Sequence, residues 1–215
     1  RIDPTSTRVV YRGGGELYSV RLDGSAAPVL LHPSGHNVAS GFLLTPDGRE
    51  VVYQVDQDAN GSFDLFVAPV DGSSPPLRLV APPPTTHVGA LGLSADSTRV
   101  VFLQNEADAH KLWSLRLDGS AAPRGLGRAN RFSHELSGDW LVFLDRPPHS
   151  FERLWAVPLD GSAPKHELRD VQRPHPFLAG FTVSPDRTRV VYGTRFHVLS
   201  VPIDGSQEPA GRCFR

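Results

Sequence analysis

Two short motifs recur in alternation along the whole chain, and they restrict its fold more than anything else in it. One is an Asp-Gly-Ser turn, with aspartates at Asp23, Asp71, Asp118, Asp160 and Asp204, spaced 42 to 48 residues apart. The other lies upstream of each: DPTSTRVVY from Asp3, TPDGREVVY from Thr45, SADSTRVVF from Ser94, a shortened SGDWLVF from Ser137 and SPDRTRVVY from Ser184. A fixed period in this range is the mark of a repeat architecture.

Within a unit the order is constant. A run with small residues comes first (Val38–Leu44, Val88–Leu93, Arg131–Leu136, Leu178–Val183), then the Pro-Asp turn and a Val-Val-Tyr strand. A variable tip follows, then a Leu-aromatic strand, the Asp-Gly turn and a weak edge run such as Pro28–Leu31 or Leu77–Val80. The apolar runs are β-branched, aromatic and too short for helices, so each reads as a strand. Asp-Gly between strands suits a tight turn, where glycine takes a positive φ without steric cost. Four strands per unit make one sheet, which cannot bury both faces alone; stacking such sheets radially gives a β-propeller. The expected fold is therefore all-β, a β-propeller of four-stranded blades in about five repeats: 1–35, 36–84, 85–128, 129–172 and 173–215 of a single domain. The small-residue runs are the inner strands. Proline beside the outer runs (Pro75, Pro76, 82–84) discourages edge pairing.

The pattern S-P-D-G-x-x-V-V-Y … D-L-F-x-x-x-x-D-G-S resembles the WD40-like (PD40) repeat of TolB-type β-propellers. The resemblance covers nearly the whole chain and implies a bacterial exported setting, periplasmic, cell-surface or secreted. It also implies either a scaffold or the propeller part of a serine peptidase or a lyase. Propellers host unrelated activities, so function rests on sites. The first unit begins at its turn without an inner strand, and a short outer strand is expected near Arg212–Arg215. The ring is thus incomplete or a segment of a larger propeller, and an unclosed edge invites strand addition. The chain begins at Arg1 and has no methionine, which reads as a processed form or a fragment.

Composition excludes some partners. The net charge is −1 with no Lys/Arg run, so neither nucleic acid nor an anionic membrane surface is indicated. No apolar stretch is long enough to span a bilayer. The single cysteine, Cys213, makes no internal disulfide.

The sharpest chemical motif is Asp56-Gln57-Asp58-Ala59-Asn60-Gly61-Ser62-Phe63-Asp64. Asp56, Asp58, Asn60, the Ser62 carbonyl and Asp64 are spaced to offer a hard cation several oxygens, and one calcium ion is the expected cofactor. Position twelve is Val67 rather than a bidentate glutamate, and a solvated hairpin tip reads equally from these residues. His36, His87 and His175 stand just before inner strands and form a candidate ligand-binding set, suited to a transition metal or a channel; His134 breaks their pattern. No G-x-S-x-G elbow is present. Among inner runs only Glu135 is acidic. Asp47, Asp96, Asp139 and Asp186 recur at one turn position, which marks them as turn-forming. Tyr18, Phe66, Trp113 and Trp155 recur at one strand position, which marks them as inter-blade core, and Trp140 falls outside that register. The expected function is a non-enzymatic binding or scaffold module presenting one face to a protein, peptide or glycan. The alternative is a hydrolase or lyase propeller with catalysis in another domain or in the channel.

Overall fold

The computed structural model describes residues 1–58, 61–83, 86–106, 109–129, 134–145, 153–168, 178–194 and 197–213. These residues form strands and turns without a helix, and none forms a segment able to cross a membrane as a helix. The first sheet has three strands, β1 (Arg8–Gly13), β2 (Glu16–Arg21) and β3 (Val29–Leu30). The other four each have four: β4 (Asn37–Leu44) to β7 (Leu77–Val80) through β5 (Glu50–Asp56) and β6 (Asp64–Pro69); β8 (His87–Leu93) to β11 (Arg124–Ala129) through β9 (Arg99–Glu106) and β10 (Ala109–Arg116); β12 (His134–Ser137) to β15 (His166–Glu167) through β13 (Trp140–Asp145) and β14 (Arg153–Pro158); and β16 (Leu178–Val183) to β19 (Ala210–Cys213) through β17 (Arg189–Thr194) and β18 (His197–Pro202). Each is an up-and-down sheet in chain order, as expected of a propeller blade.

Among the described residues the inner edge of the first blade is paired only at its end. Ile2 bridges Val9, and the Arg1 carbonyl accepts the Val10 N–H at 2.8 Å. Leu44 pairs with Val51 in the same register one blade later. The outer strand of the fifth blade spans Ala210–Cys213, two residues earlier than expected.

Two compact units are distinguished: Arg1–Asp108 with Trp113–Arg124, and Ala109–Leu112 with Gly125–Arg215. Strand alternation builds the core of each. In the first unit Val51, Tyr53 and Val55 pack on Val10, Leu17 and Leu31 of the preceding blade. Val52, Leu65 and Val67, on the opposite face, pack on Val88, Val100 and Phe102 of the following blade. In the second unit Val142 and Leu154 pack on Val190, Tyr192 and Val201 in the same way. Within each unit a blade thus has a leading face, toward its predecessor, and a trailing face. A fully buried valine, leucine or aromatic in these layers contributes roughly 1.5–3 kcal/mol. Trp140, the residue outside the repeated register, starts β13 and packs against the second unit's core, with the His166 ring edge-on at 5.5 Å.

The two repeated motifs form one end of the blades. Thr45, Ser94 and Ser184 each close a turn the same way: the hydroxyl oxygen accepts the N–H five residues on (Glu50, Arg99, Arg189) at 2.9–3.0 Å. Asp47, Asp96 and Asp186 accept the N–H two residues on at 3.0–3.1 Å. In the first blade Asp3 replaces the hydroxyl residue, and its carboxylate accepts Thr7 and Arg8 N–H. The five Asp-Gly-Ser turns are alike too: the serine N–H donates to the aspartate at 2.8–3.0 Å. They are not two-residue hairpins, however. Between β6 and β7 the chain continues through residues 70–76, and the Asp71-Gly72 turn only begins that connection.

Candidate functional site

The opposite end of the blades carries the hairpin tips and the entries to the inner strands, and there the residues differ from blade to blade. In the first unit a hydrogen-bonded chain runs from core to surface. Tyr53, fully buried on β5, donates its hydroxyl to the Leu31 carbonyl at 3.0 Å. The hydroxyl also lies 3.1 Å from Nδ1 of His32, itself buried. His32 Nε2–H donates to Gln57 Oε1 at 3.0 Å, and the Gln57 amide nitrogen reaches His36 Nε2 at 3.4 Å. Phe66 closes on the His32 ring edge at 4.9 Å, and the His36 ring stands edge-on at 5.4 Å. Burial depresses the His32 pKa, which favours the neutral ring. Burial likewise drives the Tyr53 hydroxyl well above its ordinary range. Beside this chain Arg12 donates from Nε to the Val38 carbonyl at 2.7 Å and from Nη2 to Asn37 Oδ1 at 3.2 Å. These bonds tie the first hairpin to the entry of β4. His32 also lines a cleft of about 400 Å³ with Leu30, Pro33, Pro69, Pro75 and Pro76.

Sequence reasoning singled out His36 but missed His32, Tyr53 and Gln57. Tyr53 hides inside the repeated Val-Val-Tyr motif, whose equivalents Tyr11 and Tyr192 share the hydroxyl while Phe102 and Phe143 lack it. Nothing in the motif therefore set Tyr53 apart. The other two histidines of the set are less defined. His87 is the first residue of β8 and pairs in register with Asn105, which aligns it with Asn37 rather than His36. His175 lies outside the described residues. His134 opens β12 opposite Phe143, and burial lowers its pKa.

The Asp56–Asp64 segment holds an internal cation that sequence spacing did not reveal. Arg78, from the neighbouring strand β7, places Nη2 at 2.7 Å from Asp64 Oδ2 and 3.1 Å from Asp58 Oδ2. Asp64 is almost fully buried and Ser62 is buried. Asp56 Oδ2 accepts the Gly61 N–H at 3.2 Å. Asn60 lies outside the described residues. Among the described residues no three His, Cys, Asp or Glu side chains converge as a metal-holding group.

Other singled-out residues are structural. Glu135 accepts the Val183 N–H at 3.1 Å and joins the inner strands β12 and β16. Phe66 is buried, and Trp113 packs against the first unit's core. Trp155 is half-buried with the Lys165 ammonium 4.1 Å above its ring.

No family model matches the chain, and no curated protein does. Solved structures do. A TolB protein from Agrobacterium tumefaciens aligns over 97% of this chain and 77% of its own, at TM-score 0.55 and 17% identity. An oligogalacturonate lyase in complex with manganese aligns over 97% of this chain and 62% of its own, at TM-score 0.64 and 12% identity. Dipeptidyl peptidase 4 from Porphyromonas gingivalis aligns over 98% of this chain and 38% of its own, at TM-score 0.69 and 9% identity. The last two structures are thus considerably longer than the aligned chain. At such identities the likeness speaks for the fold alone, and the fold is that of TolB-like β-propeller blades.

Proposed function

We propose that this protein is an exported, non-enzymatic binding module, and that the tip end of its first two blades presents the ligand surface to a protein, peptide or glycan. The chain from Leu31 through Tyr53, His32 and Gln57 to His36 carries the reading. It anchors a half-buried imidazole and an amide from inside the core, beside an Arg12–Asn37 pair fixed to backbone. Side chains held in place before binding lose little entropy on binding. At the other end of the blades, by contrast, the repeated aspartates are spent on their own turns. The test is binding of the protein to peptide and glycan arrays, compared with His36→Ala and Gln57→Ala. Both variants should lose the hits while melting close to the parent. Hits that persist in both variants would place binding elsewhere.

The likeness to a lyase and a peptidase favours a second reading, a propeller domain belonging to a hydrolase or lyase. Turnover of an oligogalacturonate or a dipeptidyl substrate by the chain, abolished by a substitution at His32 or His36, would replace the first reading with the second.

The Asp56–Asp64 loop is proposed as a calcium site that calcium would enter by displacing Arg78 from Asp58 and Asp64. A melt in excess calcium should then exceed one in EDTA, and Asp58→Ala should abolish the difference. Coincident curves would leave Arg78 as the only cation the loop uses.

A further inference from the structure

Protons and contacts do not balance in the hydrogen-bonded chain that leaves the core of the first unit. The Leu31 carbonyl, the Tyr53 hydroxyl, the His32 ring and the Gln57 amide oxygen meet at three contacts of 3.0–3.1 Å. A phenol and a neutral imidazole bring two protons to them. The Tyr53 proton serves the Leu31 carbonyl. With His32 donating from Nε2 to Gln57, its Nδ1 therefore faces the Tyr53 oxygen with no proton between them. With the proton on Nδ1, that contact is made, and the Nε2 lone pair faces the amide oxygen. A third proton would charge the ring, which burial opposes. A cation at the outer end of the chain would do what the missing proton does not.

The geometry at that end is that of a ligand set. His32 Nε2 lies 3.0 Å from the Gln57 amide oxygen, and His36 Nε2 lies 3.4 Å from the nitrogen of the same amide. Both ring nitrogens thus converge on one small group. The ring centroids stand 5.4 Å apart with the planes at 86°. Two imidazoles bound through Nε2 to one tetrahedral ion at about 2.1 Å have centroids roughly 5 Å apart. The rings are spaced as a shared ion would space them. Rotation of the Gln57 amide about its Cγ–Cδ bond brings Oε1 between them as a third donor.

The surroundings fit the tautomer that a metal needs. A ligating histidine gives its other ring N–H to an oxygen, which fixes the ring and strengthens the donor. His32 Nδ1 has the Tyr53 oxygen at 3.1 Å, itself anchored on the Leu31 carbonyl, and Phe66 closes on the ring at 4.9 Å. His36 is half-buried, which leaves a way in from the surface. Asp58, one residue beyond Gln57, is turned to Arg78 at 3.1 Å, so the set is separate from the acidic loop.

We propose that His32, His36 and Gln57 hold a divalent late first-row metal ion, zinc foremost, through both Nε2 atoms and the amide oxygen. Imidazole donors suit such ions, and an incomplete donor set leaves a position for water or a ligand oxygen. The site lies where the chain passes from the outer strand β3 to the inner strand β4 of the next blade. It shares side chains with the ligand surface proposed above but rests on the chain's own donors, so either reading can fail alone.

The experiment is zinc uptake by the whole chain in competition with a chromophoric chelator, with no peptide or glycan present. Cobalt(II) in place of zinc reports the coordination by its visible absorption. The parent should saturate at one ion per chain and give the intense cobalt bands of tetrahedral geometry. His36→Ala, at a half-buried position, should fold, weaken uptake at least about tenfold and abolish the bands. Tyr53→Phe keeps all three donors but removes the oxygen that receives the Nδ1 proton, and should weaken uptake about tenfold. Circular dichroism checks that each variant is folded. Excess calcium should not displace the zinc, because calcium takes oxygen donors. No uptake by the parent would overturn the inference and leave a turned-over Gln57 amide as the source of the missing proton. Uptake unchanged in His36→Ala, or zinc displaced by calcium, would overturn it by placing the ion elsewhere.

Discussion

The two ends of the blades differ in how their polar groups are used. At the turn end of the second, third and fifth blades, one hydroxyl and one aspartate are consumed by backbone N–H groups a few residues away, by the same bonds each time. At the tip end, polar side chains bond to one another over sequence separations above twenty, as His32 does with Tyr53 and Gln57. Local bonding can be copied with the repeat. Long-range bonding depends on one blade's particular residues. The repeated end builds the scaffold, and the unrepeated end is where an individual function has room to develop.

The largest effect expected at the turn end is that of Gly72→Val. Gly72 has φ of 70°, and a Cβ there would overlap Val29 Cγ1. Left-handed backbone strain and a steric clash act together, so the loss should be about 3 kcal/mol or more. Chemical denaturation measures it, and an unchanged midpoint would mean that the Asp-Gly turn does not need glycine. At the tip end, Tyr53→Phe should cost about 1–3 kcal/mol, because it strips the donor from the buried Leu31 carbonyl. Phenylalanine itself fits, since Phe102 and Phe143 fill the equivalent positions. A neutral result would show that the chain from core to surface is not an energetic unit.

A paired substitution sharpens the comparison within the turn end. In the shortened fourth turn Ser137 is buried and its Oγ has no hydrogen-bond partner among the described residues. Ser94, also buried, accepts Arg99 N–H at 2.9 Å. Ser94→Ala should therefore cost about 1 kcal/mol or more, and Ser137→Ala should be neutral or slightly stabilising. Equal losses at the two sites would dissolve the distinction between a full and a truncated turn.

What could be read from the sequence divides along the same line. The blade order, the incomplete first blade, the turn role of Asp47, Asp96 and Asp186 and the core role of Phe66 and Trp113 were all legible, because strand alternation and turn chemistry act over two to six residues. Arg78 was not legible as the partner of Asp58 and Asp64. It reaches them only through the pairing of β6 with β7, which no spacing within the Asp56–Asp64 segment can show. Nor was the His32 chain, which needs three residues from separate segments to converge. Trp140 fell outside the aromatic register because it stands at the position held by Arg8, Glu50, Arg99 and Arg189 in the other blades.

Glu50 is the exception to the saturated turn end and gives the smallest expected effect. Burial first, and then the charges of Asp47 and Asp118, raise its carboxyl above the ordinary value near 4.5. A folded-state pKa above the unfolded one means that folding favours the protonated acid. That contribution is fully present below the unfolded value and is lost as pH rises through the raised folded value. At pH 7 the ionised Glu50 therefore weighs against folding, and Glu50→Gln should raise the melting temperature. Well below pH 4.5 the parent is already protonated, and the two curves should converge. Melts of both proteins across that range check the sign. A gain that stayed constant at every pH would trace to packing of the amide, and the charges of Asp47 and Asp118 would then not bear on this turn.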